Sequence, residues 1–302
     1  SDHGSDDINY VFSHDINKIV GNSVFLNSNN RIIRWIFQIR YLIYKQVKLP
    51  LKILFSKADY VICPDYIAPV FTFNAKRITV LHDSLFWDQK KNYSVLWRKY
   101  FITLINLGMN SRTQIVTTSN YSKNNLIKIF GNNRTINFVY QSFNFHKTTS
   151  SNYKIPENYL LHIGSFEKRK DLITLVKAFK LVKDDSLKLV LAGAQIINGS
   201  SEVLNEIKTF IFQNKLENKV ILAGYVSKAE ASLLYKNASL YVFPSLDEGF
   251  GIPILEALSF SLPVICSDID IFKEVGGDCV EYFKAGDSIS LSKKIISVLD
   301  SD

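Results

Sequence analysis

The stretch Phe243-Pro244-Ser245-Leu246-Asp247-Glu248-Gly249-Phe250-Gly251-Ile252-Pro253-Ile254-Leu255-Glu256-Ala257-Leu258 holds two glutamates, two glycines and a proline at spacings that suit binding of a phosphorylated ligand. Pro253 fits the first turn of a helix, where its missing N–H costs nothing. Gly249 and Gly251 let the backbone reach positive φ and approach a ligand closely. The helix start offers bare N–H groups and a positive dipole end, worth about 0.3–2 kcal/mol to an anion from the dipole alone. Glu248 enters just before those amides, and Glu256 follows about one turn into the helix. Two carboxylates bracketing a phosphate cradle call for a ligand whose phosphate is flanked by hydroxyls. A glycine-rich turn with a dipole-favoured glutamate is also an ordinary strand-to-helix joint, and spacing alone leaves both readings open.

A second cluster narrows the choice. Gly164-Ser165-Phe166-Glu167-Lys168-Arg169-Lys170-Asp171 presents three consecutive cations, again between an apolar run and a helix-period segment. Read alone it is as readily a solvated charge run. In a parallel sheet, however, both loops emerge at the C-terminal edge, where ligands bind. Arg169 and Lys170 can then face the same phosphates, each charge-assisted hydrogen bond contributing about 1.5–3 kcal/mol.

The elements that would position these loops alternate regularly. In the second half, strand-like runs at 159–164, 187–192, 219–224, 240–244, 263–267 and 279–283 are separated by helix-period segments at 171–182, 202–214, 228–237, 253–260, 271–275 and 288–299. Apolar strands between amphipathic helices read as successive βαβ units and a parallel sheet covered on both faces. The first half is similar, with strands at 59–63, 77–82, 114–118 and 136–140 and helices at 31–48, 95–110 and 121–130. The polar, aperiodic stretch 146–152 reads as a linker. The expected organisation is two doubly wound α/β domains, residues 1–147 and 153–302, facing a central cleft.

Composition agrees. The chain has 302 residues, 47% hydrophobic and 21% charged, enough for two packed cores and too apolar for a disordered chain. Cys63, Cys266 and Cys279 sit in apolar runs and read as small buried hydrophobes rather than a disulfide framework or metal knuckle, which suits a reducing compartment. No apolar stretch approaches the roughly 18–20 residues that span a bilayer, and the acidic, polar start carries no signal-peptide pattern. The net charge of +8 is unevenly spread. Residues 1–150 carry 19 Lys and Arg against eight Asp and no Glu, a net +11, whereas 151–302 carry 17 against 20, a net −3. Such a split points the first half toward an anionic partner. Arg31, Arg34, Gln38, Tyr41, Lys45 and Lys48 form one polar stripe on a helix whose remaining faces are mostly apolar. That helix either packs on the first domain's sheet or rests on an anionic leaflet, at about 1 kcal/mol per basic residue.

At this point the chain resembles the retaining glycosyltransferases of family 4, which have the GT-B fold. The resemblance is carried by Glu248 and Glu256, a Glu-x7-Glu pair inside Pro244-Ser245…Glu248-Gly249-Phe250-Gly251-Ile252-Pro253…Glu256-Ala257, and by Arg169-Lys170 after Gly164. Gly224-Tyr225-Val226, Pro263-Val264-Ile265…Ser267 with Glu274-Val275, Pro64…Pro69, His82-Asp83 and Ser119…Ser122-Lys123 add to it. It covers 55–302 and is strongest in the second half. It implies that Glu256 binds the ribose hydroxyls of a nucleotide sugar and that Glu248 contacts the donor sugar near the reacting carbon. Arg169 and Lys170 would neutralise the diphosphate leaving group. Amides around Gly249, Phe250, Gly251 and Ile252 would hold sugar or phosphate, and Val226 would meet the base through its backbone. His82, with Asp83 beside it, would lie near the transferred sugar and the acceptor. His162, within an apolar strand, reads as buried and inert.

The resemblance departs in two places: no glycine-rich opening loop precedes Ile8–Phe12, and Ser165 stands where some relatives carry arginine. Two cations and a helix end can replace a divalent metal, so no metal and no cofactor are expected; Asp268-Ile269-Asp270 resembles a metal motif of a different glycosyltransferase architecture. The expected partners are a GDP- or UDP-linked sugar donor, a saccharide or lipid-linked saccharide acceptor and an anionic membrane surface, with no nucleic acid. The expected location is cytoplasmic, on the inner face of the cell membrane. Alternatives on the same scaffold are an inactive sugar-binding partner subunit, a sugar-nucleotide epimerase and a phosphorylase.

Overall fold

The computed structural model describes residues 31–88, 94–110, 113–143, 155–193 and 200–301. By its contacts the chain forms two compact units, Ser1–Leu81 with Gln89–Ile115, and His82–Asp88 with Val116–Asp302. The expected seam at 146–152 and the start at Ile8–Phe12 lie outside the described residues.

The first unit opens with α1 (Arg31–Ile43), a π-helical turn (Tyr44–Lys48) and α2 (Leu49–Ser56). Strands β1 (Tyr60–Cys63) and β2 (Lys76–Val80) pair in parallel, and along the chain follow α3 (Leu85–Asp88), α4 (Val95–Gly108), β3 (Thr113–Thr117), α5 (Asn120–Phe130) and β4 (Ile136–Phe138), of which α3, α5 and β4 fall in the second unit. The strands form a sheet of order β1-β2-β3-β4. Pro50 is accommodated at the start of α2, where a proline N–H is not needed. Of the polar stripe, Lys45 turns inward, while Gln38, Tyr41 and Lys48 stay exposed. Lys45 is 7% exposed, and its ammonium and the Tyr41 hydroxyl both reach Asp65. Gln46 bonds the loop at Ala68 and Val70. Ile36, Ile39, Ile43, Val47, Leu51, Leu54 and Phe55 are exposed as well.

The second unit carries β5 (Tyr159–Ile163), a 3-10 turn (Lys168–Lys170), α6 (Leu172–Leu181), β6 (Lys188–Ala192), α7 (Ser200–Gln213), β7 (Val220–Gly224) and α8 (Lys228–Asn237). It continues through β8 (Leu240–Phe243), α9 (Ile252–Ser259), β9 (Val264–Ser267), α10 (Asp270–Gly276), β10 (Glu281–Phe283) and α11 (Ser288–Leu299). The six strands are parallel in the order β10-β9-β8-β5-β6-β7. Their near-continuous burial follows from helices on both faces. Leu175, Leu189, Ile207 and Leu291 belong to the core on one face, and Leu161, Tyr235, Ile254 and Phe272 to that on the other. Each fully buried Leu or Ile contributes about 1.5–3 kcal/mol. Cys63 and Cys266 are buried as expected; Cys279 is exposed, because it ends a 3-10 turn (Gly277–Cys279) before β10 rather than opening the strand.

Candidate active site

Numbered along the unit, the strand order reverses between β5 and β8, which are hydrogen-bonded neighbours. In doubly wound sheets the crevice for ligands opens at that switch point. The loops leaving β5 and β8 are the two chemically loaded clusters. Leu246 N–H donates to the Arg169 carbonyl at 2.8 Å, joining them through the backbone. At Gly193, at the end of β6, a Cβ would lie 1.7 Å from the Gly164 carbonyl oxygen, so only glycine permits the close approach of these two strand ends.

The 3-10 turn ends at Asp171, in the left-handed region with φ 46°, a conformation aspartate tolerates better than most residues. This turn sorts the three cations. Lys168 points outward to Glu202, both side chains more than 70% exposed. Lys170 is 7% exposed and donates to Glu248 Oε1 at 2.5 Å, its ammonium 5.0 Å above the Phe243 ring. Arg169 Nη1 donates to Glu248 Oε2 at 2.7 Å, and Nε to Glu167 Oε2 at 2.7 Å. Glu167 also accepts from Ser165, so the departure at position 165 is absorbed into the same network.

Glu248 is thus a buried carboxylate held at both oxygens by cations. Burial pushes its pKa up, but Lys170 and Arg169 outweigh burial and hold it below the usual carboxylate range. Burial lowers the Lys170 pKa against the pull of Glu248. Burial also opposes the charge on Arg169, yet Glu248 and Glu167 raise its pKa on balance. An incoming phosphate would find its partners already assembled and occupied by a carboxylate it can displace.

Glu256 stands one turn into α9, where its Oε2 accepts from the Tyr235 hydroxyl at 3.0 Å. Burial raises its pKa, the Tyr235 hydroxyl offsetting part of the shift. Gly251 caps α9 with φ 105°, and a Cβ there would meet the Phe272 ring at 3.0 Å. Ile252 and Pro253 open the helix, whose first amides lack intrahelical acceptors.

His82 and Asp83 follow β2 and belong to this unit. A Cβ at Gly249 would lie 3.1 Å from Asp83 Cβ and 3.2 Å from the His82 carbonyl, so this loop rests directly against the glycine-rich turn. Thr118 Oγ1 donates to the His82 carbonyl at 2.7 Å, and the His82 ring meets Gln141 at 3.5 Å. Phe250 is buried with its ring 6.0 Å from that of Tyr140. Val226 is half-buried beyond β7, beside a cavity of about 400 Å³ lined by Phe166, Gly193, Leu204, Lys208, Leu222, Gly224 and Tyr225. His162 is buried, as expected, its pKa pushed down to about 4 by burial. Asp268 accepts from the Ala285 N–H, while Asp270 opens α10. Among the described residues no three His, Cys, Asp or Glu side chains gather to hold a metal ion. Sequence reasoning missed the parts played by Glu167, whose partners Ser165 and Arg169 stand two residues to either side, and Tyr235, whose partner Glu256 lies on another helix.

A doubly wound parallel sheet with cations, a buried carboxylate and a glycine-rich helix start at its switch point, together with a second α/β sheet, is the GT-B architecture. The family described as glycosyl transferases group 1 matches residues 147–302, more than half of the chain, and the protein belongs to it. The O-antigen chain mannosyltransferase RfbU of Salmonella typhimurium (strain LT2) is 30% identical over 206 residues, covering 68% of this chain and 56% of that protein. The O-antigen chain mannosyltransferase B of Escherichia coli is 26% identical over 247 residues, covering 75% and 62%. A glycosyltransferase structure from Rickettsia africae matches with a TM-score of 0.64 at 19% identity, over 91% of this chain and 73% of that one. The chain therefore spans 56% and 62% of the two curated relatives.

Proposed function

We propose that this protein is a retaining glycosyltransferase of family 4. It moves a mannosyl- or glucosyl-type group from a GDP- or UDP-linked donor to a saccharide or lipid-linked saccharide acceptor in surface polysaccharide assembly, without a metal ion or cofactor. The observation that carries the reading is the meeting of Arg169, Lys170 and Glu248 at the β5–β8 switch point. The relatives named as O-antigen mannosyltransferases support the substrate class.

The chemistry follows from where charge develops. When the bond between the sugar and the diphosphate breaks, the electron pair leaves with the diphosphate and the sugar becomes oxocarbenium-like. Arg169 and Lys170 transfer their hydrogen bonds from Glu248 to the departing phosphates, and preplaced donors of this kind lower the barrier because they need no reorganisation. Glu248, released, turns its charge toward the sugar. The α9 amides hold sugar or phosphate, Glu256 accepts from the ribose hydroxyls, and the apolar cavity beside Val226 takes the base. His82 and Asp83 stand beside Gly249, where transferred sugar and acceptor would meet. The acceptor oxygen loses its proton as its bond to the sugar forms, and the leaving diphosphate is the base nearest to hand.

The acceptor is brought to the site at an anionic membrane. Residues 31–58 hold seven Lys and Arg and no Asp or Glu, and α1, the π turn and α2 leave Ile36, Ile39, Ile43, Val47, Leu51 and Phe55 exposed among Arg40, Lys48 and Lys52. Cations flanking an exposed apolar stripe suit a helix lying in an anionic lipid surface. Among the described residues no helix is long and apolar enough to cross a membrane.

The test is a panel of GDP- and UDP-sugars with the wild-type chain, read by thermal stabilisation, donor hydrolysis and product anomeric configuration, with and without a chelator. One nucleoside diphosphate should raise the melting temperature, and the product should keep the donor's configuration in the chelator. Absence of any nucleotide-induced shift ends the enzyme reading and favours a partner subunit.

A further inference from the structure

Glu274 lies in α10, and each of its oxygens accepts from backbone far away in the sequence, with the Tyr140 side chain also within hydrogen-bonding reach. Oε1 accepts from the Asn120 N–H at 2.6 Å and Oε2 from the Tyr121 N–H at 2.7 Å, the first two residues of α5. That helix already has its own cap, Ser119 Oγ accepting from the Ser122 N–H at 3.0 Å. A second, charged cap placed on the positive end of the helix dipole fixes the position of the helix start rather than merely satisfying it.

What the helix start presents explains why its position matters. Thr118 Oγ1, Ser119 Oγ and Ser122 Oγ lie 3.4, 3.3 and 3.3 Å from the Gly249 carbonyl oxygen. A hydroxyl has one proton to give, and that of Thr118 goes to His82 at 2.7 Å. The Gly249 carbonyl has two lone pairs, matched by the two remaining hydroxyls, Ser119 and Ser122. The Gly249 carbonyl and the Phe250 N–H share one rigid peptide plane. Holding the oxygen therefore sets the direction of the Phe250 N–H, one of the amides at the glycine-rich turn.

We propose that Glu274 is a positioning residue for glycosyl transfer: through the start of α5 and the Ser119 and Ser122 hydroxyls it orients the Gly249–Phe250 peptide toward the transferring group. This rests on the reading of the site as a glycosyltransferase centre. Glu274 does not touch the donor. It acts 153 and 154 residues away in sequence, through two amides and two hydroxyls.

The experiment compares Glu274→Ala, Glu274→Gln, Ser122→Ala and the double variant Glu274→Ala/Ser122→Ala in the full chain. It measures kcat, nucleoside diphosphate Kd by calorimetry, and hydrogen exchange at Asn120 and Tyr121. A misdirected peptide should lower kcat about 10–100-fold in Glu274→Ala. Kd should stay within about 3-fold, because Arg169 and Lys170 are untouched. Glu274→Gln keeps one acceptor oxygen for an amide and should recover part of the rate. Ser122→Ala should cost little more once Glu274 is gone, since both act on one peptide. The proposal is overturned if kcat stays within 2-fold of wild type, if Kd weakens in step with kcat, or if the two substitutions multiply independently. A wild-type chain that binds no nucleotide would overturn the glycosyltransferase reading instead, while exchange at Asn120 and Tyr121 would still report whether Glu274 holds α5.

Discussion

Lys170→Met separates a built diphosphate site from a charge run. The methionine keeps an unbranched stem near Phe243 and removes the ammonium that holds Glu248 Oε1 at 2.5 Å. Without ligand the cluster of Arg169, Lys170, Glu248 and Glu167 is electrically neutral, which lets buried charges rest together. Taking one cation away leaves Glu248, about 10% exposed, with Arg169 alone. Breaking a buried pair costs about 3–5 kcal/mol, and the surviving arginine favours the lower figure. At about 2–4 °C per kcal/mol for a unit of this size, the melting temperature should fall by about 6–12 °C. The lost bond to phosphate is worth about 1.5–3 kcal/mol, which weakens nucleoside diphosphate binding about 10–150-fold at 1.4 kcal/mol per tenfold. Calorimetric titration and melting with GDP and UDP read both effects. Lys168→Met is the control two residues away. Its ammonium pairs with Glu202 on the surface, so stability and affinity should barely change. Equal loss of affinity in the two variants would mean that the three cations act as one solvated patch, and the argument from burial would be wrong.

Two further outcomes follow from the same charges and from the exposed helix. Glu248 has a depressed pKa in the folded chain, so its stabilisation is present above the unfolded glutamate pKa of about 4.3 and is lost as pH falls through the folded value. The stability gap between wild type and Glu248→Gln, from urea unfolding, should be widest near neutrality and close below about pH 4; a gap constant from pH 7 to 3 would refute the assignment. Anionic vesicles should bind the wild-type chain and release it in high salt, and Val47→Glu/Phe55→Glu should bind them weakly; unaltered binding by that variant would show that charge alone holds the protein there.

The second unit was legible strand by strand because its parallel strands are buried on both faces and its helices keep a clear period. Runs expected at 159–164 and 240–244 became β5 and β8 within a residue, and their being neighbours follows from the doubly wound order. The candidate site was legible as far as residue types and loop positions carry. Which cation meets Glu248 was set by a contact across 78 residues, and the partner of Tyr235 by one across 21. Nothing in Lys168-Arg169-Lys170 says which cation turns inward; a single left-handed residue, Asp171, accompanies the turn that decides it. Likewise Glu274 was recognisable as part of a pattern, but its hold on α5 depends on how α10 packs against that helix.

The helix at 31–48 shows the converse failure. Its periodicity separates a polar stripe from an apolar one, but a period reports amphipathicity, not which side faces in. Two features turn Lys45 inward out of the polar stripe while Gln38, Tyr41 and Lys48 stay exposed. The π turn Tyr44–Lys48 breaks the 3.6-residue register, so the stripe cannot keep one bearing through α2. Asp65, together with the Ala68 carbonyl and the Val70 N–H, offers polar partners beneath the helix that Tyr41, Lys45 and Gln46 can satisfy. A buried lysine is tolerated only when paired, and Asp65 makes that pairing possible. With Lys45 and Gln46 turned inward, Ile43, Val47, Leu51 and Phe55 lie exposed alongside Gln38, Arg40 and Lys48. An apolar stripe of that length on a cationic surface is costly in water and favourable in the interfacial layer of an anionic membrane. The exposed Ile43, Val47, Leu51 and Phe55, with Lys48 beside them, are the surface that the proposed membrane contact would use.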